Sequence, residues 1–216
     1  VTVPRRHLFA SVAATLLAAL ILFAAVRDGA PFGPDTALHR WVLDHRTSAG
    51  IDVATFVTDT GNRVVPHLLA ALAGALTVPR AWWLGAVAGF AALLTGQLLR
   101  LLLVHALDRP RPPAESWTAH VNNPSMPSGH STTAALTAIG LAAALLPYCH
   151  RTATRALAIA VPAAWGASVG LTRVYLGVHW PTDVLAGWLF AAALTLLVLP
   201  PLGRRLRRSV RPAELP

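Results

Sequence analysis

Cysteine occurs once, at Cys149, lysine not at all, and charged residues make up only 12% of the 216 residues. One cysteine closes no internal disulfide, which excludes a disulfide-framed secreted fold and a cysteine-rich zinc site. A soluble domain carries about 25% charged residues, roughly twice the share found in this chain. Disorder is excluded by the opposite property, a composition that is 55% apolar, since disordered chains are poor in apolar residues. The class that remains is a membrane protein.

Acidic residues are also scarce, 9 against 18 basic ones, and every basic residue is arginine. The formal charge of +9 would suit nucleic acid only if the arginines were spread over a soluble face. They sit instead in short clusters between apolar runs, the orientation signal of an inner-membrane protein. No nucleic-acid partner is expected, and the Arg204–Arg211 tail is explained by topology and by attraction to anionic lipid.

Each span needs about 20 mostly apolar residues. The sequence predicts six, at about 7–26, 64–78, 82–107, 130–147, 156–171 and 184–202. The first reads as an uncleaved span rather than a secretory signal, being long for a signal and followed by the poor cleavage site Val26-Arg27-Asp28. Residues 30–60 read as an outer loop with one short helix at the interface. Residues 109–127 form a proline-rich loop that no bilayer interior accepts. One side of the membrane then holds ten of the eighteen arginines: Arg5, Arg6, Arg80, Arg151, Arg155, Arg204, Arg205, Arg207, Arg208 and Arg211. The positive-inside rule places both termini in the cytoplasm and the 28–60, 109–127 and 172–183 segments outside. The fold expected is an all-α bundle forming a single membrane domain, 1–216.

Three outward segments carry polar groups. They are Asp108-Arg109-Pro110-Arg111-Pro112-Pro113, then Pro127-Ser128-Gly129-His130, then Thr172-Arg173 with His179 and Asp183. Arg111 and Arg173 supply planar forks matched to phosphate oxygens. Ser128 and Gly129 precede a helix, whose free N–H groups and positive dipole end attract an anion. His179 and Asp183 are four apart, with Pro181 at a first helical turn. A carboxylate there can hold one ring nitrogen of His179 and leave the other free to attack. His130 is a second imidazole, able to protonate a leaving alkoxide. Taken singly, each segment has a structural explanation: a helix cap at Ser128, membrane-edge charge at Arg109 and Arg111, a structural His179–Asp183 pair. Arg173 resists that explanation, because positive charge outside has no topological purpose. A metal site built from His120, His130, His179 and Asp183 is disfavoured, since Arg111 and Arg173 would repel the cation.

The constellation resembles the type 2 phosphatidic acid phosphatase family, whose soluble relatives include the vanadium haloperoxidases. Its pattern runs Lys-x6-Arg-Pro, Pro-Ser-Gly-His and Ser-Arg-x5-His-x3-Asp. The second part is intact at Pro127–His130, and the third is present with Thr172 in place of Ser. The first part departs: seven residues before Arg111 stands Val104, and before Arg109 stands Leu102, so neither register supplies the lysine. Arg100, one turn deeper, is about 5.4 Å further along the helix, within reach of an arginine side chain; His105 is a second candidate. The resemblance implies a metal-independent phosphatase without cofactor. His179 would form a phosphohistidine, Asp183 orient it, and His130 act as acid and then base. Arg111, Arg173, Ser128 and Gly129 would bind phosphate, with Arg109 and Arg100 as further contacts. A cradle at the bilayer edge implies a phosphorylated membrane lipid such as phosphatidic acid, phosphatidylglycerol phosphate or a polyprenyl (undecaprenyl) diphosphate. A transferase of the same fold and a non-catalytic lipid-phosphate binder or transporter are the alternatives.

Overall fold

Backbone polar groups in hydrocarbon must be satisfied within their own segment, and the long Leu/Ala/Val runs of this chain accordingly fold as helices. The computed structural model describes residues 5–209, and every regular element among them is helical. Val1 and Arg211 lie outside the described residues. The helices are α1 (Arg5–Val26), α2 (Gly33–His45), α3 (Ser48–Thr60), α4 (Val64–Thr77), α5 (Trp82–Leu107), α6 (Gly129–Leu145), α7 (Thr152–Tyr175) and α8 (Pro181–Ser209). Among the described residues, three stretches are long and apolar enough to cross a membrane: Pro79–Leu107, Gly129–Tyr148 and Thr152–Tyr175. Shorter apolar stretches lie within α1, α4 and α8. Each of the six apolar runs read from sequence is thus one helix.

Two expectations need correction. Residues 30–60 hold two helices of 13 residues each rather than a loop with one. The break falls at Arg46, whose backbone is extended, and at Thr47, whose hydroxyl accepts from the Gly50 N–H at 3.1 Å and caps α3. The fifth apolar helix does not stop at 171. It continues to Tyr175, so Thr172 and Arg173 belong to its last turn and not to a loop. Its end is set by Gly177 (φ 75°), in the left-handed region that glycine adopts without strain. The Val178 N–H reaches the Arg173 carbonyl and the Gly177 N–H that of Val174, the paired bonds of a Schellman turn.

Small residues hold the bundle together. α6 packs against α4, α5, α7 and α8, burying Ser131, Thr132, Thr133, Ala134 and Ala138. Lipid tails give no hydrophobic drive between helices, so close van der Waals approach is what joins them. At the α4–α5 seam a Cβ on Gly74 would fall on the Gly85 carbonyl. With α6 at the centre, its first turn meets the start of α8 and the end of α7 at one end of the bundle.

Candidate active site

Chain reversal after α7 brings His179 to that end. The Schellman turn folds residues 176–178 back, and Trp180-Pro181 begins α8. Asp183, in the first turn of α8, accepts the Trp180 N–H at 2.8 Å, as a helix-capping carboxylate does. The same Oδ2 lies 3.4 Å from His179 Nδ1. One carboxylate oxygen thus caps α8 and faces the His179 ring. Both side chains are buried, at 2% and 0% exposure.

Arg111 meets the opposite nitrogen. Its Nη1 lies 3.0 Å from His179 Nε2 and donates to the Val178 carbonyl at 2.6 Å, while Nε donates to the Asn123 carbonyl at 2.6 Å. A guanidinium can only donate, so Nε2 carries the lone pair and the ring proton sits on Nδ1, facing Asp183. Burial, then the charges of Arg111, Arg173 and Arg100, push the His179 imidazole well below its ordinary value of 6.5. The ring is therefore neutral, with its free electron pair on the Arg111 side. Burial pulls Arg111 down to about 10, so it still carries its charge at neutral pH.

Of Arg100, Arg109, Ser128, Gly129, His130 and Arg173, all but one lie on the side of the bundle end that holds this ring. Arg173 is 2% exposed and donates from Nη1 to Thr58 Oγ1 at 3.0 Å; its buried Nε has no hydrogen-bond partner among the described residues. Arg100 is buried and donates from Nε to the Pro127 carbonyl at 2.7 Å. A Cβ on Gly129 would stand 3.2 Å from its guanidinium carbon, so Arg100 lies directly against the glycine. Arg100, Gly129 and His130 line a cavity of about 410 Å³ that continues between Leu94, Leu98 and Leu101 of α5 and Thr133 of α6. His130 lies within electrostatic reach of His179, Arg173, Arg100 and Arg111. Ser128 is fully buried, and its backbone N–H bonds the Asp183 carbonyl at 3.0 Å. Its side chain makes no capping bond to α6 and instead accepts the Ser131 hydroxyl at 2.9 Å, so the helix-cap explanation does not describe it. Helix geometry leaves the first N–H groups of α6, from Gly129 onward, without intrahelical partners.

Arg109 is the exception. It does not face the cradle but lies behind His179, 1% exposed, between Asp183 (Nη1–Oδ1 2.6 Å) and Asp35 (Nη2–Oδ2 2.8 Å), with Nε on the Gly29 carbonyl at 3.2 Å. The expectation that it contacts substrate is thereby corrected: its donors are committed to two buried carboxylates. His105 and His120 are exposed and join neither group.

Sequence reasoning missed two participants. Ser125 donates its hydroxyl to Asp183 Oδ2 and lies 3.5 Å from His179 Nδ1. Asp35 is fully buried although it sits in a segment read as outer loop. Ser125 lies only three residues before Ser128, which was the one available hint; nothing in the local sequence singles out Asp35.

The PAP2 superfamily profile matches residues 80–206. A lipid A 1-phosphatase of Rhizobium johnstonii is 39% identical over 124 residues, 53% of this chain and 46% of that protein. The chain thus spans about half the length of that relative. Phosphatidylglycerophosphatase B of Bacillus subtilis is 32% identical over 187 residues, 83% of this chain and 88% of that protein. The crystal structure of a transmembrane PAP2-type phosphatidylglycerolphosphate phosphatase from Bacillus subtilis superposes with a TM-score of 0.72 at 24% identity, covering 94% of this chain and 98% of that one; the two share a fold.

Proposed function

The chain belongs to the PAP2 superfamily and has the fold of a multi-pass membrane protein, and from that membership and the cradle around His179 we propose that it is a membrane lipid phosphatase acting through a phosphohistidine. The observation that carries the reading is the imidazole held between a carboxylate at Nδ1 and a guanidinium at Nε2, with a second imidazole, His130, lining a cavity together with Arg100 and Gly129.

The lone pair of His179 Nε2 attacks phosphorus while the bond to the lipid oxygen breaks, and that oxygen leaves with its electron pair. His130 delivers the proton it needs. Asp183 holds the Nδ1 proton and stabilises the imidazolium that forms. In the second half, His130 takes a proton from water as the water attacks phosphorus, and the P–N bond breaks with its electron pair returning to His179. Arg100, Arg111, Arg173 and the N–H groups at Gly129 face the phosphoryl oxygens, where donors fixed in advance lower the barrier most. The unpartnered Nε of Arg173 is supplied with an acceptor when phosphate enters.

The relatives named above act on lipid A and on phosphatidylglycerophosphate, and the substrate class read here is the same: a phosphomonoester or diphosphate whose tail stays in the bilayer. Leu94, Leu98 and Leu101 are exposed or half-exposed along the outer surface of α5 and border the cavity, which suits entry from the lipid side. Six spans, both termini in the cytoplasm and the cradle at the outer face of the cytoplasmic membrane complete the reading, supported by the arginine asymmetry. Purified protein in detergent is expected to release phosphate from lipid phosphates with a chelator present, with inhibition by vanadate. His179→Ala is expected to abolish turnover; if it hydrolyses substrate at the wild-type rate, the proposed nucleophile is wrong.

A further inference from the structure

Asp183 does not face His179 as a lone anion. Arg109 bonds its Oδ1 at 2.6 Å, with both side chains 1% exposed or less. A guanidinium in that position offsets part of the carboxylate's field at the imidazole. Yet an imidazole that bonds phosphorus through Nε2 while keeping its proton on Nδ1 becomes a cation. The Nδ1 side then needs net negative charge if the site is to favour that state.

The fold supplies it from α2. Asp35, in the first turn of that helix, takes Arg109 Nη2 at 2.8 Å. It also accepts the Thr182 N–H at 2.9 Å and the Thr182 hydroxyl at 2.7 Å, both in the first turn of α8, and the Phe32 N–H at 3.2 Å. Two carboxylates and one guanidinium sum to −1 behind His179; without Asp35 the sum is zero. On the Nε2 side, Arg111, Arg173 and Arg100 are matched by the phosphoryl group, with Asp59 also acting on Arg173. We infer that Asp35 is a positioning residue of the reaction: by offsetting Arg109 it leaves Asp183 with the negative charge that stabilises the His179 imidazolium as phosphorus is attacked.

The inference rests on the phosphatase reading only in taking His179 as the group that becomes charged. A purely architectural clamp would make the same bonds, so the test separates charge from shape. Three full-length proteins are compared in detergent: wild type, Asp35→Asn, and Asp35→Asn combined with Arg109→Gln. The double variant removes further hydrogen bonds but restores the charge behind His179 to −1. Asp35→Asn is expected to lower kcat about tenfold or more with KM within about twofold, the size of one unit charge acting through protein. The double variant is expected to regain at least about threefold of that loss. Orthovanadate affinity, read by the fluorescence of the nearby Trp180, is expected to follow the same order, because vanadate adopts the geometry of phosphorus under attack. A double variant slower than Asp35→Asn, or an Asp35→Asn enzyme with wild-type kcat, overturns the inference and leaves the phosphatase reading standing. If wild type hydrolyses no lipid phosphate, the phosphatase reading fails, and vanadate binding alone decides: a weaker Asp35→Asn with recovery in the double variant supports the role of Asp35, and equal affinities refute it.

Discussion

Arg100 lies one turn before Val104, the position at which the family pattern calls for a lysine, and its replacement by alanine removes one of the three guanidinium groups of the proposed phosphate cradle. The side chain is buried, anchored by its Nε on the Pro127 carbonyl at 2.7 Å and pressed against Gly129. That anchoring uses Nε alone, so in the proposed complex the two Nη groups would meet the phosphoryl oxygens. A unit charge about 4 Å from a phosphoryl oxygen interacts by ~4 kcal/mol at an effective dielectric near 20. Removing one preorganised oxyanion donor typically costs about 2.7–4 kcal/mol. The expected result for Arg100→Ala is therefore a fall in kcat/KM of roughly 10²- to 10³-fold. Initial rates of phosphate release from a lipid phosphate in mixed micelles measure it. Added guanidinium is expected to restore part of the activity of this variant, since truncation enlarges a cavity already open beside His130. Arg100→Ala combined with Val104→Lys is expected to recover activity as well, because position 104 lies one turn nearer the loop end of α5. An Arg100→Ala enzyme within about threefold of wild type, on a scale where each tenfold is ~1.36 kcal/mol, would show that Arg100 only ties α5 to the Pro127 loop.

The other perturbations probe neighbouring links. Ser125→Ala removes the hydroxyl donor on Asp183 Oδ2 and is expected to lower kcat by about tenfold with little change in KM, since the serine orients the carboxylate without touching substrate. Arg111→Gln removes the largest of the positive charges that hold His179 down, so the His179 value rises. The neutral ring is then lost at higher pH, and the acid limb of a kcat/KM profile is expected to move upward; an unmoved or downward limb refutes the assignment. Gly177→Ala forces a side chain into the left-handed region (φ 75°) and onto the Ser116 carbonyl. A loss of about 2 kcal/mol or more is expected, read as a lower Tm in detergent together with reduced activity, because the turn that aims His179 is displaced.

Hydropathy and motif spacing made much of this molecule legible before any coordinates. Six apolar runs became six helices because the signal for a helix in hydrocarbon is local: length and an absence of charge over consecutive residues. The His179–Asp183 pairing was readable for the same reason, since a four-residue separation across the start of a helix is short-range geometry. Gly129 and the start of α6 were legible as well, from Pro127-Ser128-Gly129 ahead of an apolar run. The end of α7 was not, because its last turn is polar and is held by backbone bonds of the Schellman turn rather than by apolar pattern.

Arg109 and Arg111 mark where local reasoning ends. They are the same residue type, two positions apart in one proline-rich loop, and nothing in their immediate sequence tells them apart. Arg109 was drawn behind the imidazole because carboxylates from two distant helices, Asp35 and Asp183, converge there. Arg111 was left on the Nε2 side, anchored to loop carbonyls. Asp35 itself, 74 residues from Arg109, looked like one more acid in a polar loop until packing closed over it. Segment length and composition fix where helices form, whereas the sign of the charge each face of His179 meets depends on long-range partners that only tertiary packing brings together.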